Sequence, residues 1–288
     1  MSISKYKYNK DYFSKIDSED KAYWLGFLYA DGSINRFYKG DKLRSMTLEL
    51  GLSYKDKHHL EKFKECTDSN IPIFEKTNKL NGKEHKSVRI QWNNTKVCYD
   101  LCDLGCTPHK TYDIRLPSND VVPRKFMRDF LRGFFDGDGC IIISEVNGKQ
   151  RIQVTLTGMS EMLTDISDFL VSEGVIRKVP KIQEDKRSNV CSIFFYGADS
   201  NKELLDYLYK DAAIYLDRKY EIYIDFYKDF NYKNQKRGVY YDKHNKAYIA
   251  TIYIDGKRKR IGQYKNVDDA INARKEAEIE KMKLQQPA

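Results

Sequence analysis

The chain has no uninterrupted apolar run of the ~18 residues that a membrane-spanning helix requires, so no transmembrane helix is expected. Its first residues, MSISKYKYNKDYF, lack the apolar core of a secretory signal. The protein is therefore expected to stay where it is made, in the cytoplasm of a bacterial or phage system or in the organelle of synthesis, and not to be secreted. Nothing frames the chain as an intein, which favours a free-standing protein. Acids are outnumbered: 42 Asp and Glu stand against 51 Lys and Arg, a net charge of +9. That balance favours a polyanionic partner. Cys66, Cys98, Cys102, Cys106, Cys140 and Cys191 include no Cys-x-x-Cys pair, which weakens any zinc reading. Cys98, Cys102 and Cys106 recur every four residues and His109 follows. A metal cluster is one reading; three small apolar thiols on one helix face is the stronger one. With 288 residues, 41% of them hydrophobic, the chain can build a sizeable core and one to three domains.

What is present is a repeat. WLGFLYADG at Trp24–Gly32 returns as LRGFFDGDG at Leu131–Gly139, placing Asp31 and Asp138 107 residues apart. Each copy is an apolar helical run ending in an acid and a glycine. Gly26 and Ala30 lie four apart, as do Gly133 and Gly137, and so share one helix face. Small residues there let two helix backbones approach closely. Gly32 and Gly139 are expected to stop the helices in the left-handed conformation. Side-by-side packing would bring Asp31 and Asp138 out at the same end. Two carboxylates at about 4 Å repel by roughly 4 kcal/mol at an effective dielectric near 20, and both face the negative ends of helix dipoles. Divalent cations, which prefer oxygen ligands, are the natural compensation.

These paired segments resemble the motifs of the LAGLIDADG homing endonucleases, in the form that carries both copies in one chain. The resemblance implies that Asp31 and Asp138 are catalytic and hold Mg²⁺ or Mn²⁺, with the backbone of Ala30 and Gly137 as further metal contacts. The first copy has Tyr29 where the pattern has an acid, and the second keeps Asp136; neither is the metal ligand in the family. The resemblance further implies a staggered double-strand break by metal-assisted hydrolysis within a long site on double-stranded DNA. The chain would act as a monomer with internal pseudo-two-fold symmetry. An RNA maturase assisting intron splicing, or a non-cleaving DNA-binding regulator, could use the same scaffold.

The intervening sequence supports a duplication. Ser18, Glu19 and Asp20 give an N-cap and an acidic first turn ahead of the first motif helix. A hairpin turning near Lys39–Lys42, a helix from Asp56 to about Cys66, a hairpin turning at Asn81-Gly82 and a helix from Thr95 to Leu104 follow. Pro117 and Pro123 punctuate a linker. The second motif helix, a hairpin at Asn147-Gly148, a helix capped by Ser160, a hairpin from Lys178 to Tyr196 and further helices repeat the order. The predicted fold is α+β: two pseudo-symmetric αββαββα repeats, residues 1–120 and 121–231, forming a saddle around the paired motif helices. LELGLSYKD at Leu48–Asp56 matches VTLTGMSE at Val154–Glu161, and HKTYDI at His109–Ile114 matches RKYEI at Arg218–Ile222. That second match places Lys110 and Lys219 equivalently; the resembled family keeps a basic residue there to orient solvent and offset phosphate charge.

Strand alternation puts Arg89 and Gln91 on one face and Arg151 and Gln153 on another, with Lys181 and Gln183 continuing the pattern. Arg and Gln pair bidentately with guanine and adenine in the major groove, and Arg36 and Lys76 are candidates for phosphate contacts. Residues 233–265 then hold ten Lys or Arg against two acids. Three strands near Val239–Asp242, Tyr248–Ile254 and Lys259–Tyr264, an Asp255-Gly256 turn and a helix packing through Ala270, Ala273 and Ala277 are expected over residues 232–288. Through Gly238-Val239, Tyr248, Ala250, Ile252, Gly256, Lys257, Gly262, Tyr264 and Ala270 this segment resembles the apetala-two DNA-binding domain, with Tyr248 where Trp is usual. That resemblance implies DNA contacts from Arg237, Tyr241, Lys243, Lys246, Tyr248, Lys257, Arg258 and Arg260.

Overall fold

The computed structural model describes residues 6–80, 83–108, 114–146, 149–185, 190–235, 238–242, 244–254 and 257–284. It is an α+β chain in two compact units, Met1–Tyr223 and Ile224–Ala288. The first repeat runs α1 (Glu19–Asp31), β1 (Gly32–Lys39), β2 (Lys42–Ser53), α2 (Lys57–Cys66), β3 (Phe74–Leu80), β4 (Lys83–Asn93) and α3 (Thr95–Asp103). The second runs α4 (Arg124–Asp138), β5 (Gly139–Val146), β6 (Lys149–Gly158), α5 (Ser160–Ser172), β7 (Ile182–Glu184), β8 (Cys191–Phe195), α6 (Ala198–Tyr209) and α7 (Asp217–Gln235). The sheets are antiparallel and have the same strand order, β1-β2-β4-β3 and β5-β6-β8-β7. The expected hairpin tips at Asn81-Gly82, Asn147-Gly148 and Asp255-Gly256 lie outside the described residues. Among the described residues no helix is long and apolar enough to cross a membrane.

The motif helices make one core of the two repeats, which explains why residues 1–120 and 121–231 do not separate. Residues 22–29 of α1 are all buried, as its apolar composition on every face requires. α4 packs against α1. A Cβ on Gly26 would stand 2.0 Å from the Phe130 carbonyl oxygen, and one on Gly133 would stand 1.9 Å from the Tyr23 carbonyl oxygen. The clashes are reciprocal because Tyr23 and Phe130 are themselves equivalent positions. Glycine costs a helix roughly 1 kcal/mol relative to alanine; here it allows backbone-to-backbone contact.

The terminal glycines correct the expectation of left-handed caps. Gly32 (φ −74°, ψ 150°) and Gly139 (φ −86°, ψ 159°) are extended and begin β1 and β5 with no intervening loop. Glycine is required there by space: a Cβ would fall 2.6 Å from Leu28 O at Gly32 and 2.4 Å from Phe135 O at Gly139. The serine caps also differ from expectation. Ser18 occupies the N-cap of α1 but its hydroxyl donates to Asp20. Ser160 is already inside α5, behind Met159. Asn94 is the side-chain cap of α3, accepting from the amides of Lys96 and Val97 at 2.9 and 3.2 Å.

The second unit begins inside α7, ahead of the expected boundary at residue 232. It contains β9 (Val239–Asp242), β10 (Ala247–Ile254), β11 (Lys257–Tyr264) and α8 (Val267–Leu284), with strand order β11-β10-β9. Ala247, Ile249, Ala250 and Ile252 are buried, with Ala270 and Ile271 of α8; Ala273 and Ala277 are half-buried.

Candidate active site and nucleic-acid interface

Asp31 and Asp138 are the last residues of α1 and α4. The Asp31 Oδ2 atom lies 3.3 Å from where a Gly137 Cβ would be, and that same position is 2.2 Å from the Ala30 Cβ. The glycine-faced crossing therefore carries both helix ends to one place. Asp31 and Gly137 line one groove of about 530 Å³, together with Glu49, Asp56, Lys76, Arg89 and Arg218. Asp138 and Ala30 line a separate cleft of about 160 Å³ with Tyr29, Ile114, Phe134 and Thr157. Each acid thus shares its space with the backbone of the opposite helix.

Lys219 is 1% exposed, and its ammonium donates to the carbonyls of Phe135 and Asp136 at 2.6 and 2.7 Å. A cation on the last carbonyls of α4 offsets the negative helix end at Asp138. Burial lowers its pKa to about 8, against the opposing attraction of Asp136 and Asp31. Lys110, its sequence equivalent, lies outside the described residues.

The two motifs diverge at Tyr29 and Asp136. The Tyr29 hydroxyl donates to Leu104 O at 2.6 Å, over Gly105, whose φ is +93° and where a Cβ would meet that hydroxyl at 2.2 Å. Asp136 is fully buried and accepts from Tyr23, Tyr209 and the Leu216 amide at 2.7, 2.6 and 2.8 Å. Burial raises its carboxyl pKa, while Lys219 and these donors pull it back. His59 Nε2 lies 3.0 Å from the Tyr23 hydroxyl. That hydroxyl already donates to Asp136, so the proton between them belongs to Nε2. Burial lowers the His59 pKa to about 3 and keeps the ring neutral.

The open faces of the sheets carry most of the expected DNA-contacting residues of the first unit. In β4, Val88, Ile90 and Trp92 are buried, while Arg89 is exposed and Gln91 half-buried. Lys76 is exposed and pairs with Ser87. Arg151, Gln153, Lys181 and Gln183 are exposed. Arg36, in β1, is exposed as well. It pairs with Met46, as Ile34 pairs with Leu48, so its backbone phase is that of Ile34 while its side chain is exposed. Its charge and hydrogen bond bear on the Cys102 thiol. Asn35, also exposed, takes the opposite phase. Cys98 and Cys106 are buried, and burial lifts the Cys98 thiol to about 12; His109 is outside the described residues. Among the described residues no group of three or more His, Cys, Asp or Glu side chains is arranged to hold a metal.

In the second unit the Tyr241 and Tyr248 rings meet at 5.0 Å on paired residues. Arg258 lies 5.0 Å over the Tyr240 ring and donates to Thr251 Oγ1 at 3.2 Å. Arg260 donates to Gln263 at 2.6 Å, and Lys246 and Lys257 are exposed. Arg237 and Lys243 lie outside the described residues.

With this geometry in hand, residues 125–209 match the LAGLIDADG-like domain family. A lysine-to-alanine mutant of I-SmaMI has a TM-score of 0.52 at 13% identity, over 75% of this chain and 92% of that one. The meganuclease I-SmaMI bound to uncleavable DNA gives 0.50 at 12% identity, over 77% and 92%. The fold is that of the LAGLIDADG meganucleases. A curated relative, a probable translation initiation factor IF-2 of Thermococcus kodakarensis, is 26% identical over 163 residues. The match spans 54% of this chain and only 12% of that protein.

Sequence pattern alone missed three features of this site. Glu49 lies in the LELGL strand and reads there as one more polar alternate. The Asp56–Arg218 pair, at 3.1 and 3.2 Å, joins residues 162 positions apart. The buried Arg132–Asp129 pair, at 2.7 Å, sits inside the LRGFFDGDG helix, where spacing three residues apart was its one visible signal.

Proposed function

We propose that this chain is a site-specific DNA endonuclease that hydrolyses phosphodiester bonds with Mg²⁺ or Mn²⁺ and leaves a staggered double-strand break. The observation that carries the reading is the reciprocal Gly26/Gly133 contact, which brings Asp31 against Gly137 in a groove that Arg89 and Lys76 also line. Asp31 and Asp138 are oxygen donors, the type that hard divalent cations take. A site with few protein carboxylates, and no cluster of three or more His, Cys, Asp or Glu among the described residues, suits Mg²⁺, which completes its shell with water and substrate phosphates rather than an all-protein cage. Such ions supply a Lewis acid and an activated water at the scissile phosphate.

The chain's own residues have separate tasks. Asp31 and Asp138 hold the cations, one in each half-site, with the backbone of Gly137 and Ala30 beside them. Lys219 offsets charge that builds on the phosphate, and Lys110, its equivalent in sequence, takes the same role in the other repeat. Arg89, Gln91, Arg151, Gln153, Lys181 and Gln183 read base edges, and Lys76 meets phosphate. Arg36 is a further phosphate contact. The strongly basic sheet of the second unit, with the apetala-two-like residue pattern, adds duplex contacts through Tyr241, Tyr248, Lys246, Lys257, Arg258 and Arg260, and through Arg237 and Lys243. The intact acid pair favours cleavage over an RNA maturase or a silent regulator. The similar fold of I-SmaMI, solved on uncleavable DNA, supports duplex DNA as the partner.

The test is incubation with Mg²⁺, and separately Mn²⁺, and a library of long duplexes. Double-strand cuts are expected. Asp31→Asn and Asp138→Asn should each abolish them while binding persists. Cutting that survives in either variant removes that acid from the site.

A further inference from the structure

We infer that Glu49 is a positioning residue for base recognition, one that turns the Gln91 amide so that its carbonyl oxygen faces the duplex; the inference rests on the endonuclease reading above. In the row of the first sheet that starts two residues beyond Asp31, Ser33, Glu49 and Gln91 stand side by side across β1, β2 and β4. One carboxylate oxygen, Glu49 Oε2, accepts from Gln91 Nε2 at 3.3 Å and from Arg89 Nη1 at 3.2 Å. All three lie on the open face, and Glu49 and Arg89 line the groove that holds Asp31. An acid on a basic surface that meets phosphates is costly unless it has a task.

A carboxylate accepts and does not donate. Facing it, a glutamine amide must present its NH₂ group, because the opposite orientation sets two acceptors against each other. Oε1 is then the outward atom. In the major groove, the groups that donate to such an acceptor are the exocyclic amines of adenine N6 and cytosine N4. Arg89 uses one of its five donors on Glu49, which fixes the guanidinium fork beside Gln91 and orients it for guanine O6 and N7. The predicted substrate feature is one base step in the first half-site. It carries an adenine or cytosine under Gln91 with a guanine under Arg89.

The equivalent row of the second sheet is Cys140, Thr155 and Phe194. It contains no carboxylate and no amide. The device belongs to one half-site only, which supplies an internal control.

The experiment selects duplexes bound by the full chain from a randomised pool, with Ca²⁺ in place of Mg²⁺ so that bound DNA is recovered uncut. It is repeated with Glu49→Gln and with Thr155→Val. At position 49, glutamine can donate or accept, so Gln91 is free to turn either way. The expected result for Glu49→Gln is a loss of preference of at least about fivefold at one base pair, in one half of the selected site. The other half, the salt dependence of binding and the melting temperature should stay unchanged. Thr155→Val should leave that base pair alone. Identical selected sequences for the wild-type chain and Glu49→Gln overturn the role of Glu49 and leave the endonuclease reading standing. A wild-type chain that enriches no sequence overturns the endonuclease reading, and this inference with it.

Discussion

The Tyr23 hydroxyl of α1 donates to the Asp136 carboxylate of α4 at 2.7 Å, inside the interface between the two motif helices. The same carboxylate collects Tyr209 and the Leu216 amide, so one buried group ties α1, α4, α6 and the segment leading to Lys219. The equivalent position in the first motif, Tyr29, makes one bond to Leu104 O. The motif's acid therefore has a structural use in one half and none in the other.

Asp136→Asn should destabilise the protein far more than Tyr29→Phe. An amide at 136 turns one acceptor into a donor and leaves a buried N–H or O–H unsatisfied, at a cost of about 1–3 kcal/mol. It also removes a negative charge that attracts buried Lys219. Tyr29→Phe removes a single bond worth about 1 kcal/mol. Urea unfolding of the two variants against the parent measures the difference; equal losses would show that Asp136 is no hub.

Lys219 predicts an alkaline limit. Its pKa is lowered from 10.5 to about 8 by burial, so the ammonium is largely present below pH 8 and lost above it. If its charge assists the phosphate, cleavage should fall as pH rises through about 8. Stability should move the other way. Between about pH 8 and 10.5 the unfolded chain binds the proton and the folded chain does not, so this group favours folding increasingly as pH rises. Lys219→Met should remove both trends. A cleavage profile of unchanged shape in that variant would take Lys219 out of the reaction.

The repeat was legible because it rests on local chemistry: an apolar helix, a small-xxx-small face and an acid, written twice. Alternation in β4 separated Trp92 from Arg89 for the same reason. The errors came where a residue's neighbour is distant in sequence. Gly32 and Gly139 were read as positive-φ caps because glycine commonly serves there; the actual cause is the space beside Leu28 and Phe135, which only the direct helix-to-strand passage creates. Glu49 acquires meaning from Arg89 and Gln91, some forty residues later, a pairing that register decides.

The second unit should contribute affinity through charge. Ten basic residues against two acids lie in residues 233–265, and each phosphate neutralised adds about 0.9 to the slope of log K against log salt. Removing residues 233–288 should weaken binding to duplex DNA and make that slope shallower. Titrations at several salt concentrations read it out, and an unchanged slope would dissociate this unit from DNA.

Ala30 and Gly137 are equivalent positions in the two motifs, and they share room for one methyl group. A Cβ on Gly137 would lie 2.2 Å from the Ala30 Cβ, so Gly137→Ala should push the helix ends apart. Overpacking of this kind costs about 1–3 kcal/mol, and it displaces Asp31, whose Oδ2 is 3.3 Å from the same point. Ala30→Gly alone should cost about 1 kcal/mol, from helix propensity. The double variant Ala30→Gly, Gly137→Ala moves the methyl across the pseudo-axis and keeps their number at one. It should be more stable than Gly137→Ala by about 1 kcal/mol or more, a coupling of the size expected for residues in contact. Cleavage should recover in parallel, because the gap between the helix ends is restored. Strict additivity in thermal melting of the four proteins would mean that the two positions do not touch, and the convergence of Asp31 and Asp138 would lose its cause.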